Sequence, residues 1–430
     1  MSKRLKIAFL VIAAILISSL TMGGYEAKKD SKSGSKDALY NQVELFSDAI
    51  SAIRNDYVDE VDSKKMIYGA LRGMLSSLDD FSQFMDPDEY KEITVGAKGE
   101  FGGIGIEITS KDGIITVIAP MAGTPADAAG IKSGDRIVKI NGKTTKDMTL
   151  NDAVKMMRGD PGTQLTLTVW REKEERVFDI PVKRAIIKIS SVKDAYLIDE
   201  RIGYIKLIEF QERAAQELEV ALKKLEAQGM SSLILDLRNN PGGLLDSAIE
   251  VCEKFLPKDA VIVSTKSRKA SQNMLYKSKA NSQHPNYPIV VLVNEGSASA
   301  SEIVAGALQD NKRAVILGAK TFGKGSVQTV IPLKDSSALK LTTAAYFTPS
   351  GKSIMNQGVI PDLIVEREEL KDKKKSPSDI FEKIDREKTA KLEEKRPNAK
   401  EVVERDSQLE RAVDLMKALK IYRKSNQHEN

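Results

Sequence analysis

The sequence predicts an α/β chain (α+β in the sense of several domains), and three changes of texture along it carry that prediction. Between 39 and 93, apolar residues recur at spacings of three and four. Between 94 and 183, short alternating runs are broken by glycine turns. Between 184 and 365, apolar runs of buried-strand length alternate with helical stretches. The chain of 430 residues is long enough for two or three domains, and 41% apolar residues are enough for real cores.

Taken in order, the first segment is an export signal. Lys3, Arg4 and Lys6 precede an apolar run from Ile7 to Leu20, as the charged and apolar regions of a secretory leader do. The run is shorter than the roughly 18–20 residues of a comfortable membrane span. Residues 1–24 are therefore read as a signal peptide or an N-terminal anchor held at 7–20, and 25–38 as a flexible linker. In the helical region 39–93, Leu39, Val43, Phe46, Ile50, Ile53 and Tyr57 mark one amphipathic helix, and Met66, Ile67, Ala70, Leu71, Met74, Leu75 and Leu78 a second.

In 94–183, Phe101-Gly-Gly-Ile-Gly-Ile-Glu-Ile108 is a glycine turn running into a strand. Gly123–Gly130 is a short helix closed by glycine, Gly134–Gly142 a strand ending in an Asn-Gly turn, Thr149–Met157 a helix, and Thr163–Arg171 a strand holding Trp170. In 184–365, Ile202–Glu209, Leu233–Leu237, Ile289–Val293, Ala314–Gly318 and Ala338–Phe347 read as strands. Ala214, Leu218, Ala221, Leu222 and Leu225 mark a helix ended by Gly229. The tail 366–430 is charged and helical. Its final helix carries Val402, Leu409, Val413, Met416 and Leu419, a stripe that must pack on the body or on a second subunit.

Composition excludes several chemistries. Sixty-six basic against 61 acidic residues leave a net charge of +5, and no basic stripe interleaved with aromatics is present, so no nucleic-acid partner is expected. Cys252 is the only cysteine, which rules out an internal disulfide and a cysteine metal site; its setting reads as the face of a core helix. No metal or other cofactor is called for. Only His284 and His428 are available as histidine bases.

Two motifs stand out against that background. Gly296-Ser-Ala-Ser-Ala-Ser-Glu302 follows a buried strand and opens a helix. Ser299 and Glu302 fit a capping box, Ser-x-x-Glu. The same geometry exposes a serine whose following amide faces a developing oxyanion. Phe322-Gly-Lys-Gly-Ser-Val-Gln328 sets Lys324 between glycines. It nearly matches a phosphate-binding loop from Gly318, but Gly325 stands where a Ser or Thr must hold magnesium, and a strand follows where a helix should. Asn239-Asn-Pro-Gly-Gly243 also follows a buried strand, and its glycines allow close backbone approach.

Residues 94–183 resemble a PDZ domain, through Gly-Thr-Pro-Ala, Ala-Gly-Ile, Gly-Asp-Arg-Ile and Ile-Asn-Gly in order. The resemblance implies that Gly103, Ile104, Gly105 and Ile106 receive a C-terminal carboxylate while the peptide adds as a strand. Over 39–365 the chain resembles the carboxyl-terminal processing (tail-specific) proteases. Leu-Asp-Leu-Arg-Asn-Asn-Pro-Gly-Gly, Gly-Ser-Ala-Ser-Ala-Ser-Glu-Ile and Thr-Phe-Gly-Lys-Gly-Ser-Val-Gln follow the PDZ segment as in that family. That resemblance implies a protease core of crotonase/ClpP-like type in 184–365, with Ser299 as nucleophile, Lys324 as general base and Gln328 orienting the lysine. It implies Gly243 and Ala300 as oxyanion amides, and Arg158 as a PDZ arginine that in some members reaches Gln328 when peptide is bound.

A serine–lysine dyad is chemically coherent here. A lysine is protonated near pH 7, since its reference value is about 10.4, and must be desolvated to act as a base. An amide at 328 accepts a hydrogen bond from it without the charge that would hold its proton. The expected function is an exported serine endopeptidase of the periplasm or cell envelope. It would take proteins or peptides by their C-termini and cleave C-terminal regions through an acyl-enzyme. A cell-envelope adaptor and a homodimer through the terminal helices are partners to test. Two other classes remain open: a non-catalytic PDZ scaffold, and a crotonase-like acyl hydrolase, which a thioester assay would separate.

Overall fold

The computed structural model describes residues 31–111, 113–199, 201–282, 284–366 and 406–426. The segment 1–24, expected to be a signal peptide or anchor, the charged run 371–375, Val402 and His428 lie outside the described residues. The chain divides into two compact units, one ending at Ser77 and one beginning at Leu78. The division splits the region read from sequence as one helical unit, 39–93.

The first unit contains α1 (Ser31–Asp56) and α2 (Ser63–Ser76). Residues 31–38 of the stretch expected to be linker belong to helix α1. Asp62 caps α2, its carboxylate accepting the amides of Lys64 (2.8 Å) and Lys65 (3.2 Å). Along α1 the apolar positions Leu39, Val43, Phe46 and Ile53 are exposed.

The second unit opens with β1 (Gln83–Met85) and α3 (Pro87–Lys98), whose N-cap Asp86 and Glu89 form a reciprocal capping box. Then come β2 (Glu100–Gly103), β3 (Ile106–Lys111), β4 (Ile114–Pro120), α4 (Pro125–Ala128), β5 (Arg136–Ile140), β6 (Lys143–Thr144), α5 (Leu150–Met157), β7 (Gln164–Arg171), β8 (Arg176–Lys183) and β9 (Ala185–Lys188). One antiparallel sheet runs β3-β4-β5-β7-β8, with β6 on β5. Strand β7 shows why: Leu165, Leu167 and Val169 are buried while Thr166 and Thr168 between them are not, the period of two that a half-buried strand requires. Ile115, Val117, Ile137, Ile140 and Ala153 complete this small core. Strands β2 and β9, at the two ends of the segment, pair antiparallel from Glu100↔Lys188 to Gly103↔Ala185. The module is thus inserted on a two-stranded ribbon.

The rest is a larger α/β body: β10 (Val192–Ile198), β11 (Ile202–Leu207), α6 (Ala214–Ala227), β12 (Ser232–Asp236), α7 (Leu245–Glu253), β13 (Val261–Ser267), β14 (Met274–Lys277), β15 (Ile289–Val293), α8 (Ala300–Asp310), β16 (Val315–Gly318), β17 (Ser326–Pro332), β18 (Ala338–Phe347), β19 (Leu363–Ile364) and α9 (Ser407–Asn426). Its main sheet runs β10-β11-β12-β15-β16-β19, parallel from β11 onward. Alternate residues of each strand enter two different cores. Leu233, Leu235, Val291 and Val293 pack with α6, α7 and α8, whereas Ile234, Val290 and Leu292 pack with Ala412 and Met416 of α9. That double cover is why these strands read as unbroken apolar runs. The stripe of α9, including Leu409, Val413 and Leu419, therefore lies on the chain's own sheet. For this helix the structure selects the body over the second subunit, because its apolar face is already occupied. Cys252 is fully buried in the larger core, and burial pushes its thiol up, away from reactivity. A second sheet, β1-β18-β13-β14 with β17 on β18, closes the body.

Candidate active site

The three loops that leave the carboxyl ends of β12, β15 and β16 converge, the place where open parallel sheets hold their ligands. The loop after β15 carries three serines, and their environments separate them. Ser297 is fully buried; its hydroxyl donates to the Leu237 carbonyl (2.7 Å) and accepts the Asn294 amide (3.0 Å). Ser301 is also fully buried and donates to the Asn240 carbonyl (2.9 Å). Ser299 is half-buried, and its hydroxyl makes no hydrogen bond among the described residues. Its backbone sits at φ 54, ψ −112, a strained conformation for a residue with a side chain, at the amino end of α8.

The Asn239–Gly243 loop fits against this turn. Asn239 and Asn294 exchange bonds, Asn239 N–H to Asn294 Oδ1 (2.8 Å) and Asn294 Nδ2–H to Asn239 Oδ1 (2.9 Å). A Cβ on Gly242 would stand 2.8 Å from Ser299 Cβ and 2.9 Å from Ala300 N, so only glycine lets the loops approach this closely. Among the described residues, neither the Gly243 nor the Ala300 amide donates a hydrogen bond within the protein. Beneath the loop, fully buried Asp236 accepts from Tyr204 Oη (2.7 Å) and from Arg238 Nη2 (2.7 Å), and Arg238 continues to Asp406 ahead of α9 (2.7 Å).

Glu302 fastens the lysine loop to the serine turn. Its carboxylate accepts the Ser299 amide (2.8 Å), the Lys324 amide (2.9 Å), the Gly323 amide (2.7 Å) and the Thr321 hydroxyl (2.6 Å). The capping box expected at Ser299 is formed: Glu302 reaches back to the cap amide and its own amide comes up to the Ser299 side chain. That amide takes the Ser299 carbonyl as its hydrogen-bond acceptor (2.9 Å), which leaves the hydroxyl without a cap bond of its own. Burial pushes the Glu302 carboxyl above the usual carboxylate range, against the four donors that favour its charged form. Sequence read Glu302 only as a cap; its reach to 321–324 is a tertiary contact that local spacing does not encode.

Lys324 is half-buried in a turn held against residues 354–358. A Cβ on Gly325 would fall 2.2 Å from Met355 N, so a side chain there is excluded by backbone. The Lys324 Nζ lies 5.0 Å from the centroid of the Phe81 ring, and Gln328 donates its Nε2–H to the Phe81 carbonyl (2.9 Å). Among the described residues no hydrogen bond joins Lys324 Nζ to Ser299 Oγ or to Gln328. The structure thus brings the three loops together but leaves lysine and glutamine both on Phe81, a residue that no motif singled out.

In the inserted module, β3 is the edge strand of its sheet and faces α5. Ile104 is buried in the module's core, and Gly105, at φ 77, accepts from Met121 N (2.9 Å) and Thr124 Oγ1 (3.0 Å) through its carbonyl. The Ile104 and Gly105 amides donate to nothing in the protein among the described residues, while Gly103 closes β2 and Ile106 opens β3. Arg158 is exposed at the end of α5, its guanidinium 4.9 Å from the Phe101 ring. It lines a cavity of about 340 Å³ with Lys155, Phe101 and Asp88, Lys91 and Glu92 of α3. Its guanidinium is on Phe101, whereas the Gln328 amide is on Phe81.

The order of these parts is that of a PDZ-bearing serine protease, and comparison with known sequences agrees. The chain matches peptidase family S41 over residues 201–365, a PDZ domain over 116–171 and the N-terminal domain of the activating protease CtpB over 14–89. It is 45% identical over 366 residues to a carboxy-terminal-processing protease of Bartonella bacilliformis, covering 84% of this chain and 83% of that one. It is 37% identical over 381 residues to the carboxy-terminal processing protease CtpA of Bacillus subtilis, covering 88% and 80%. A solved photosystem II D1 C-terminal processing protease shares 31% identity over 75% of this chain and 92% of its own, with a TM-score of 0.45. The chain belongs to peptidase family S41, as a C-terminal processing serine protease with a PDZ domain.

Proposed function

We propose that Ser299 is the nucleophile of this peptidase and that Lys324 is its general base, oriented by Gln328. The observation that carries the reading is the contrast among three serines: Ser297 and Ser301 have their hydroxyls engaged in the fold, and Ser299 alone presents one, on a strained turn at a helix amino end. Lys324 removes the hydroxyl proton as Ser299 Oγ attacks the scissile carbonyl. The amides of Gly243 and Ala300, both without a partner among the described residues, receive the developing oxyanion. The ammonium then protonates the leaving amine, and water resolves the acyl-enzyme by the same base. With its Nε2–H spent on the Phe81 carbonyl, Gln328 keeps its Oε1 as a neutral acceptor for the lysine.

The PDZ module takes the substrate's free C-terminus at Gly103–Ile106 and pairs the preceding residues with edge strand β3. Arg158 couples that binding to Gln328 when peptide is present. Export rests on the basic and apolar residues of 3–20, with 7–20 as leader or anchor. Among the described residues no helix is long and apolar enough to cross a membrane. A second copy of the chain would dock on the exposed apolar positions of α1, and an envelope partner would deliver substrate.

The test compares the parent with Ser299→Ala and Lys324→Ala on an unfolded protein with a free apolar C-terminus, read by mass spectrometry. Cleavage by the parent and by neither variant is expected. Equal cleavage by Ser299→Ala would overturn the assignment.

A further inference from the structure

Lys324 and Gln328 touch the same residue, Phe81, and Phe81 is built into place. The Asp79 carboxylate accepts the amides of Phe81 (2.8 Å) and Ser82 (2.7 Å), closing a tight turn. That turn is fixed to β18, because the Thr342 amide donates to Ser82 Oγ (3.1 Å) and the Thr342 hydroxyl to Asp79 (3.3 Å). Thr342 is the cross-strand partner of Gln328. The Phe81 carbonyl therefore meets the Gln328 amide at a distance fixed by the sheet, and the ring lies over the Lys324 ammonium. The negative face of an aromatic ring attracts a cation. Among the described residues no ion pair holds the lysine there: half-buried Lys340 of β18, its ammonium disfavoured by burial and then by Lys324, offers it no attraction, while the Glu302 carboxylate is taken up by four donors.

We propose that Phe81 is a positioning residue that holds Lys324 off the serine in the resting enzyme, so that the strength of the ring contact sets how often the lysine stands at Ser299. This rests on the reading of Lys324 as the base. Leaving the ring is a step the lysine must still complete before each attack once peptide is bound. Weakening the contact therefore raises kcat and leaves KM alone.

The experiment uses the full chain and an internally quenched peptide with a free apolar C-terminus. Phe81→Leu, which keeps an apolar side chain but no π face, is expected to raise kcat about 2–5-fold, the worth of an exposed cation–π contact. Phenylalanines bearing one, two and three ring fluorines at position 81 drain the ring's negative face with little change in size, and kcat should rise stepwise along that series at constant KM. A purely structural Phe81 would not respond to fluorination. A kcat that is flat or falls along the series would overturn the proposal, even if Phe81→Leu failed to fold. Lys324→Ala separates the two layers: if it is inactive and the series is flat, the positioning role alone is wrong; if it keeps parent activity, the base assignment is wrong.

Discussion

The serine side and the lysine side of the site are built differently. On the serine side the polar side chains Ser297, Ser301, Asn239, Asn240 and Asn294 bond one another or the backbone, and among the three serines only the Ser299 hydroxyl remains. On the lysine side the backbone is fixed by Glu302 and by the close approach of Gly325 to Met355, but the side chains of Lys324 and Gln328 are turned to Phe81. With the roles proposed above, the nucleophile is held ready by the fold, whereas the base is held by its backbone and has to be brought into reach. Control of such an enzyme belongs on the lysine side, which can change without disturbing the buried network.

If that contrast is right, damage to the lysine loop should cost activity more than stability. The largest effect is expected for Gly325→Ala. Its Cβ would meet the Met355 backbone at 2.2 Å, so the turn must move and carry Lys324 with it. A misplacement of this kind costs about 100-fold in kcat, and the melting temperature checks that the body remains folded. Equal losses in both would break the comparison.

Glu302→Gln cuts the bridge between the two sides. An NH2 group would replace one of two oxygens that each face two donors. Leaving buried donors unpaired costs about 2–4 kcal/mol of stability, and kcat is expected to fall as well, because the serine and lysine backbones lose their common tie. Denaturant melts and steady-state kinetics on one preparation measure both.

The smallest effect lies away from the site. Glu219 bonds Lys223 (2.9 Å), Lys254 (2.9 Å) and His284 (3.1 Å). Burial pushes its carboxyl up, but Lys254, Lys223 and His284 together hold it down at about 2, against an ordinary 4.5. A carboxyl lower in the folded chain than in the unfolded one contributes stability that is present above pH 4.5 and lost as pH falls toward 2. Glu302 is shifted the opposite way, so its protonation does not weaken the fold in that window. Unfolding followed from pH 6 to 2 should decline below 4.5, and Glu219→Gln should flatten that part of the curve.

Much of this was legible in the sequence because it is local. The period of two in β7 and the continuous apolar runs of β12 and β15 announced their strands. The runs also contained a clue to α9: a strand apolar at every position needs cover on both faces. Ser299, Lys324, Gly243 and Ala300 stood in recognisable turns. Glu302 was visible only as a helix cap, since its bonds to 321–324 cross the fold. Phe81 was not legible, because it meets Gln328 through a backbone carbonyl that any residue would offer, at a sequence separation of 247. The Asp236–Arg238–Asp406 chain was hidden for the same reason.

The central claim is that the one unengaged hydroxyl among three is the reactive one. A fluorophosphonate that labels activated serines, followed by peptide mapping, tests it most directly. The account predicts a single adduct on Ser299, lost in Ser299→Ala and strongly reduced in Lys324→Ala. An adduct on Ser297 or Ser301, or labelling that survives Ser299→Ala, would contradict it.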